Sequence, residues 1–185
     1  MAERVCPWWI GYLLASPMRR WSQKPEELLA PYLREGMTVL EPGPGMGFFT
    51  LPMSRMVGPA GRIVAIDIQA KMLESLRRRA SKAGTSERID TRLAQPDSLG
   101  IGDLKGGVDF VLAFAVAHEL PSPAVFFREA AAAMKPGATM LLAEPVGHVK
   151  PEKFQAELQA AREAGLAVTA QPAIRKYLAA VLKTN

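Results

Sequence analysis

The chain has one cysteine, Cys6, and two histidines, His118 and His148, in 185 residues. A single thiol excludes an intramolecular disulfide framework and any thiolate-rich metal cluster, and it suits a reducing compartment, so a cytoplasmic location is expected. Long apolar runs are also missing. The longest, Cys6 to Ala15, is too short to span a bilayer and carries neither a preceding lysine cluster nor a small-residue cleavage site, so no transmembrane segment or signal peptide is expected. Dense positive charge is scarce despite a net charge of +5: Arg77-Arg78-Arg79 and Arg19-Arg20 are the only basic clusters. One charge patch without stacking aromatics is a weak footprint for nucleic acid, and a solvated helix face is the favoured reading. No internal repeat or low-complexity segment is evident.

What is present fits an ordinary folded domain. With 49% hydrophobic and 22% charged residues, a chain of this length buries enough surface for one core and is cramped for two. A single domain over 1–185 is therefore expected, with helices in 1–35 ahead of an α/β core in 36–185.

Four short apolar runs, Met37 to Leu40, Arg62 to Ile66, Val108 to Phe114 and Thr139 to Ala143, show little alternation, as parallel strands buried on both faces do. Ile89 to Ala94 is a weaker fifth. Between them, Ala70 to Arg79 gathers Met72, Leu73 and Leu76 on one side, and Pro123 to Met134 opens on proline and aligns Phe126, Ala130 and Met134. Alternating strands and helices predict a parallel α/β sheet. Pro25 to Leu33 reads as a helix before the first strand, and an earlier helix is expected over Trp8 to Trp21, broken at Pro17. Pro151 to Ala164 is a further helix, ended at Ala164-Gly165. Leu166 to Gln171 and Tyr177 to Leu182 follow as strands separated by five residues, a gap that suits an antiparallel pair and not a crossover.

The stretch VLEPGPGMG, residues 39–47, carries the chemistry. A glycine-rich turn after the first strand of such a sheet lies at the carboxyl edge, where open α/β sheets bind ligands. Gly43, Gly45 and Gly47 let backbone approach a ligand without Cβ collisions. Asp67 closes the second strand twenty residues after Gly47, where a carboxylate can accept hydrogen bonds from both ribose hydroxyls. An adenosine-containing ligand is the economical reading. A dinucleotide would set its pyrophosphate against free N–H groups in a G-x-G-x-x-G turn with no negative charge nearby. Here the pattern is G-x-G-x-G, Pro44 removes one N–H donor, and Glu41 would stand close to a diphosphate. A ligand with an ammonium tail and a sulfonium centre reverses that argument, because Glu41 then faces cationic charge. S-adenosylmethionine is such a ligand.

From about Pro25 onward the chain resembles the class I S-adenosylmethionine-dependent methyltransferases. VLEPGPGMG is similar to their glycine motif, IVAIDIQAKML to the second strand with its ribose acid, VDFVLAFAVAHEL to the fourth strand, and MKPGATMLLAEP to the fifth. The general style is close to the quinone and arsenite methyltransferases. The resemblance implies a Rossmann-like sheet of seven mostly parallel strands, order 3-2-1-4-5-7-6, with the last strand antiparallel and helices on both faces. It assigns Glu41, Gly43, Pro44, Gly45 and Gly47 to the methionine portion, Asp67 to the ribose, and Ile68 and Met72 to the nucleoside. Ala113 and Phe114 would complete the donor site. The third strand departs from the family pattern: it continues as Ala94-Gln95-Pro96-Asp97, where Gln95 can offer an amide to adenine, Pro96 has no N–H, and Asp97 can take over the polar contact.

Methyl transfer from a sulfonium is an in-line displacement, helped by positioning, by exclusion of water and, for a protic acceptor, by a base. His118 follows the fourth strand and His148 the fifth, so both are candidates, His118 either as base or as a structural contact. Glu144 ends the fifth strand and has a catalytic and a loop-bracing reading. No Asn-Pro-Pro-Tyr-like sequence follows the fourth strand, which disfavours amino groups of nucleic-acid bases. Cys6 alone cannot supply the thiolates of an arsenite methyltransferase. A small organic acceptor is the residual expectation, with Trp8, Trp9 and Tyr12 forming either an apolar lid over it or part of the core, and a membrane-surface role disfavoured. Two rival readings stay open: an NAD(P)-dependent oxidoreductase on the same fold, and a noncatalytic nucleoside- or RNA-binding module.

Overall fold

A computed structural model describes residues 23–95 and 97–184. The expected helix over Trp8 to Trp21, with Trp8, Trp9 and Tyr12, lies outside the described residues, as does Pro96. By internal contact the described residues divide into two compact units, one ending at Ala94 and one beginning at Gln95.

The first unit runs α1 (Pro25–Leu29), β1 (Thr38–Pro42), α2 (Thr50–Met56), β2 (Arg62–Asp67), α3 (Ala70–Lys82) and β3 (Ile89–Leu93). β1 and β2 are parallel with Leu40 opposite Val64, and β2 and β3 are parallel with Val64 opposite Asp90. Val39, Leu40 and every residue from Ile63 to Ile66 are buried, which is the both-faces burial that their unbroken apolar run predicts. α3 turns Met72, Leu73, Leu76 and Ala80 inward, and Leu76 and Ala80 pack with Leu51 of α2 and Ala65 of β2. Burial of Leu73 and Leu76 contributes roughly 1.5–3 kcal/mol each. The helix outlasts its predicted end at Arg79 and stops at Lys82, two residues before Gly84, whose φ of 67° breaks the helical run.

The second unit runs β4 (Val108–Phe114), a 3-10 turn (Ala117–Glu119), α4 (Pro123–Ala133), β5 (Met134–Pro145), α5 (Pro151–Glu163), β6 (Leu166–Ala170) and β7 (Tyr177–Thr184). α4 starts where Ser122 accepts the Val125 N–H at its side chain and Pro123 takes the first helical position. Phe110, Leu112, Phe127, Met140, Leu141, Leu158 and Leu182 form the buried interior. β5 begins five residues before its predicted start because Met134 turns directly from helix to extended backbone and pairs with Val108. Pro136 is tolerated there because the pairing with β7 begins only at Thr139.

β7 lies antiparallel to both β5 and β6, as the short gap before it requires. The strand order is β3-β2-β1-β4-β5-β7-β6, in agreement with the Rossmann-like topology expected. Among the described residues no helix is long and apolar enough to cross a membrane.

Candidate cofactor loop and histidine cluster

The glycine loop leaves β1 as a chain of tight turns. Gly43 N–H donates to the Ile66 carbonyl at 2.8 Å and Gly47 N–H to the Pro44 carbonyl at 2.9 Å. Two of its glycines have different physical roles. Gly47 has φ 87°, and a Cβ there would sit 2.5 Å from Leu76 Cδ1, so this glycine lets the loop pack on α3. Gly45 has φ 53°, yet a Cβ there would meet nothing within 4 Å. It presents bare backbone to open space, the cradle that a closely approaching ligand needs.

At the end of β1, where the loop begins, Glu41 is 3% exposed and accepts the Thr50 hydroxyl at 2.6 Å, Thr50 itself being fully buried. Burial lifts the Glu41 carboxyl from its ordinary 4.5 to about 8; the Thr50 hydrogen bond opposes the rise and the charge of Asp67 adds to it. Glu41 is therefore neutral near pH 7 in the free protein, and a cation brought beside it would favour the ionised form. Asp67, half-buried at the end of β2, accepts the Gln69 N–H at 2.9 Å, which fixes the carboxylate at the turn into α3. Next to it Ile68 is 42% exposed, whereas Met72 is buried on α3. The donor set of a buried acid, an open glycine, a strand-end acid and an exposed aliphatic fits a nucleoside that carries positive charge. A diphosphate would meet the Asp67 carboxylate and would hold Glu41 in its neutral form, with no ion pair gained from either.

In the second unit the residues after β4 and β5 form one hydrogen-bonded cluster. Glu144 is fully buried and accepts the N–H groups of Val116 at 3.3 Å and Ala117 at 2.8 Å, and it is hydrogen-bonded to His118 Nδ1. This one carboxylate braces the loop and holds the imidazole. The turn is reached through Ala115 at φ 57°, a left-handed conformation uncommon for a residue with a Cβ. A carboxylate partner sets the proton on Nδ1 and leaves Nε2, 3.9 Å from Glu119, as the titrating nitrogen. Burial works against a charged His118 ring, but the hydrogen bond and charge of Glu144, with Glu119 and Glu157, outweigh it and raise the pKa. His148 is exposed, with its ring edge-on to His118 at 5.8 Å between centroids. Lys153 donates to the His118 carbonyl at 3.3 Å.

The remaining expected residues are more scattered. Gln95 and Asp97 are exposed on a turn closed by reciprocal backbone bonds between Gln95 and Ser98. Ala113 is fully buried, and the Phe114 ring lies 4.5 Å from that of Tyr177.

Three contributors escaped the sequence reading. Thr50 is the sole hydroxyl in the apolar segment Phe48 to Pro52, which is a weak signal. Glu129, an acid on an alanine-rich helix, binds Ser98 Oγ at 2.9 Å and the Leu99 N–H at 2.7 Å and so braces the turn after β3. Arg79 donates to the Met46 carbonyl at 2.6 Å and holds the glycine loop from α3. Its neighbours serve other acceptors: Arg77 binds Thr91 Oγ1 at 2.7 Å, and Arg78 binds Ser75 Oγ at 3.1 Å. The arginine triplet is three separate braces as much as one patch of charge.

A family model described as a methyltransferase domain matches residues 33–179. A ubiquinone biosynthesis O-methyltransferase of Methylocella silvestris is 34% identical over 119 residues, which is 64% of this chain and 44% of that protein. A protein-L-isoaspartate O-methyltransferase of Triticum aestivum is 32% identical over 131 residues, 65% of this chain and 50% of that protein. The chain thus spans about half the length of such relatives. A crystal structure of a SAM-dependent methyltransferase from Aquifex aeolicus superimposes with a TM-score of 0.84 at 26% identity, over 97% of this chain and 98% of that one. With a family match across most of its length and this sheet order, the chain belongs to the class I S-adenosylmethionine-dependent methyltransferases.

Proposed function

We propose that the protein transfers a methyl group from S-adenosylmethionine to a small organic acceptor by in-line displacement. The observation that carries this reading is the pairing of open backbone at Gly45 with the buried acid Glu41 and the strand-end acid Asp67. Glu41 and the backbone of 43–47 would hold the methionine portion, Asp67 the ribose hydroxyls, and Ile68 and Met72 the apolar face of the nucleoside. The bound sulfonium supplies an activated methyl group. No covalent nucleophile of the protein is needed.

The residues of the chain handle position and protons. Glu144 fixes the His118 ring through Nδ1, and His118 Nε2 accepts the acceptor's proton once the ring is neutral. Because the His118 pKa is raised, that role requires pH above the usual imidazole range. A small acceptor is supported by the absence of an Asn-Pro-Pro-Tyr-like run after β4 and by likeness to a quinone-type O-methyltransferase; the isoaspartate relative makes a protein acceptor the alternative to test.

Isothermal titration calorimetry with S-adenosylhomocysteine tests the donor half. Micromolar binding is expected, greatly weakened by Asp67→Ala or Gly45→Val, and binding of NADH with no binding of either sulfur nucleoside would overturn it. Methyl transfer scored across phenols, quinols and isoaspartyl peptides tests the acceptor half, with turnover of the small molecules expected and turnover of the peptide alone refuting it.

A further inference from the structure

Glu41 and Thr50 form a buried pair that joins the two ends of the glycine loop, Glu41 on β1 before it and Thr50 at the start of α2 after it. The carboxyl is 3% exposed, the hydroxyl is fully buried, and Thr50 Oγ1 donates to Glu41 Oε2 at 2.6 Å. From β2, Asp67 brings a like charge to bear on Glu41. From α3, Arg79 donates to the Met46 carbonyl of the loop and is not among the groups that act on Glu41. From α2 comes the neutral hydroxyl. The surroundings therefore offer Glu41 a like charge and a neutral donor, and in the free protein the acid holds its proton. A cation that arrives at Gly45 changes this balance, because an ion pair in a buried setting is far stronger than in water.

We infer that a cationic ligand enters the glycine loop by exchange for a proton on Glu41, with Thr50 as the positioning residue that holds the carboxyl for that exchange. The inference rests on the proposed donor site, and it adds a linked proton and a residue that the donor assignment does not contain. The step balances: the O–H bond of the Glu41 carboxyl breaks, the proton passes to water, and the carboxylate remains beside the ligand's positive charge. Thr50 keeps Oε2 hydrogen-bonded in both states, so the carboxyl does not have to rotate. The exchange also selects. A ligand without positive charge at that end gains nothing from ionised Glu41 and binds without releasing a proton.

The pH direction follows. Below about 8 the free protein carries the proton and the complex does not, so affinity rises with pH by about tenfold per unit until the free carboxyl itself ionises. The α-amino group of the ligand stays protonated across pH 5.5–7.5, a window of about two units below its ordinary range.

Calorimetric titration of the full chain with S-adenosylhomocysteine at pH 6.5, in two buffers of different ionisation enthalpy, counts the protons released. About one per ligand is expected, the number falling as pH rises toward 8. In Glu41→Gln the release is lost and affinity is flat over pH 5.5–7.5. Thr50→Val, which lacks the donor, moves the rise in affinity to higher pH, while Thr50→Ser restores the original profile; a merely structural role for Thr50 would lower stability without moving that profile. Binding without proton release overturns the exchange and leaves the donor site standing. Absence of binding at every pH overturns both. The proton count on the unsubstituted protein needs no variant to fold.

Discussion

Arg79 reaches from α3 to the Met46 carbonyl of the glycine loop, 2.6 Å away and 33 positions distant in sequence. A guanidinium on a peptide carbonyl fixes a loop whose own glycines hold little conformational preference. Arg79→Ala is expected to lower the affinity for S-adenosylhomocysteine by about tenfold, near the ~1.5 kcal/mol of a charged hydrogen bond. Arg77→Ala, which removes only the contact to Thr91, leaves that affinity unchanged in the same titration.

The two glycines separate stability from binding. Gly47→Ala forces a Cβ to within 2.5 Å of Leu76 Cδ1 at φ 87°, and thermal unfolding should show a loss of about 2 kcal/mol or more from the combined strain and overpacking. Gly45→Ala meets no neighbour, so its loss is limited to the left-handed backbone, about 1–2 kcal/mol. Its larger effect should appear as weakened nucleoside binding.

Glu41 also makes stability depend on pH. Its folded pKa is raised from 4.5 to about 8, so the native state binds more protons than the unfolded chain between those values. Stability from this group is fully present below 4.5 and is lost as pH rises through about 8. Denaturant unfolding of the free protein should therefore show a midpoint that declines across that range, and Glu41→Gln should flatten the decline and be the more stable form at pH 8.

His118 obeys the same sign. Its raised pKa gives stability that is present below its ordinary 6.5 and lost as pH rises through the raised value. Glu144→Gln removes the negative charge that helps outweigh burial, so an NMR titration of the His118 ring should show its pKa falling. The pH profile of methyl transfer to a phenolic acceptor should shift to lower pH with it.

Ala115 stands at φ 57° between β4 and the turn that carries His118. Ala115→Gly relieves the left-handed strain but widens the unfolded ensemble, so the net effect on stability is small and favourable, up to about 1 kcal/mol. A clear drop in a calorimetric scan would refute strain at this position.

Much of the fold was legible because its signals are local. Unbroken apolar runs at Ile63 to Ile66 and Phe110 to Phe114 are buried throughout, as strands covered on both faces are, and prolines at 123 and 151 open helices in the structure as they do in the pattern. The six residues between β6 and β7 leave no room for a crossover, and the antiparallel pair follows. β5 was read short because Lys135-Pro136-Gly137 resembles a loop; only the pairing of Met134 with Val108 makes it strand.

The site divides along the same line. By itself the sequence determined that an acid precedes a glycine turn at a strand end, that Pro44 removes a donor there and that a second acid closes the next strand, since these depend on residue type and spacing. The tertiary structure decided what those groups do. It buried Glu41 against Thr50, opened Gly45 while packing Gly47 on Leu76, and joined Glu144 to His118 across 26 residues of chain. Burial, close approach and the shared hydrogen bond are properties of residues far apart in sequence, and no local pattern encodes them.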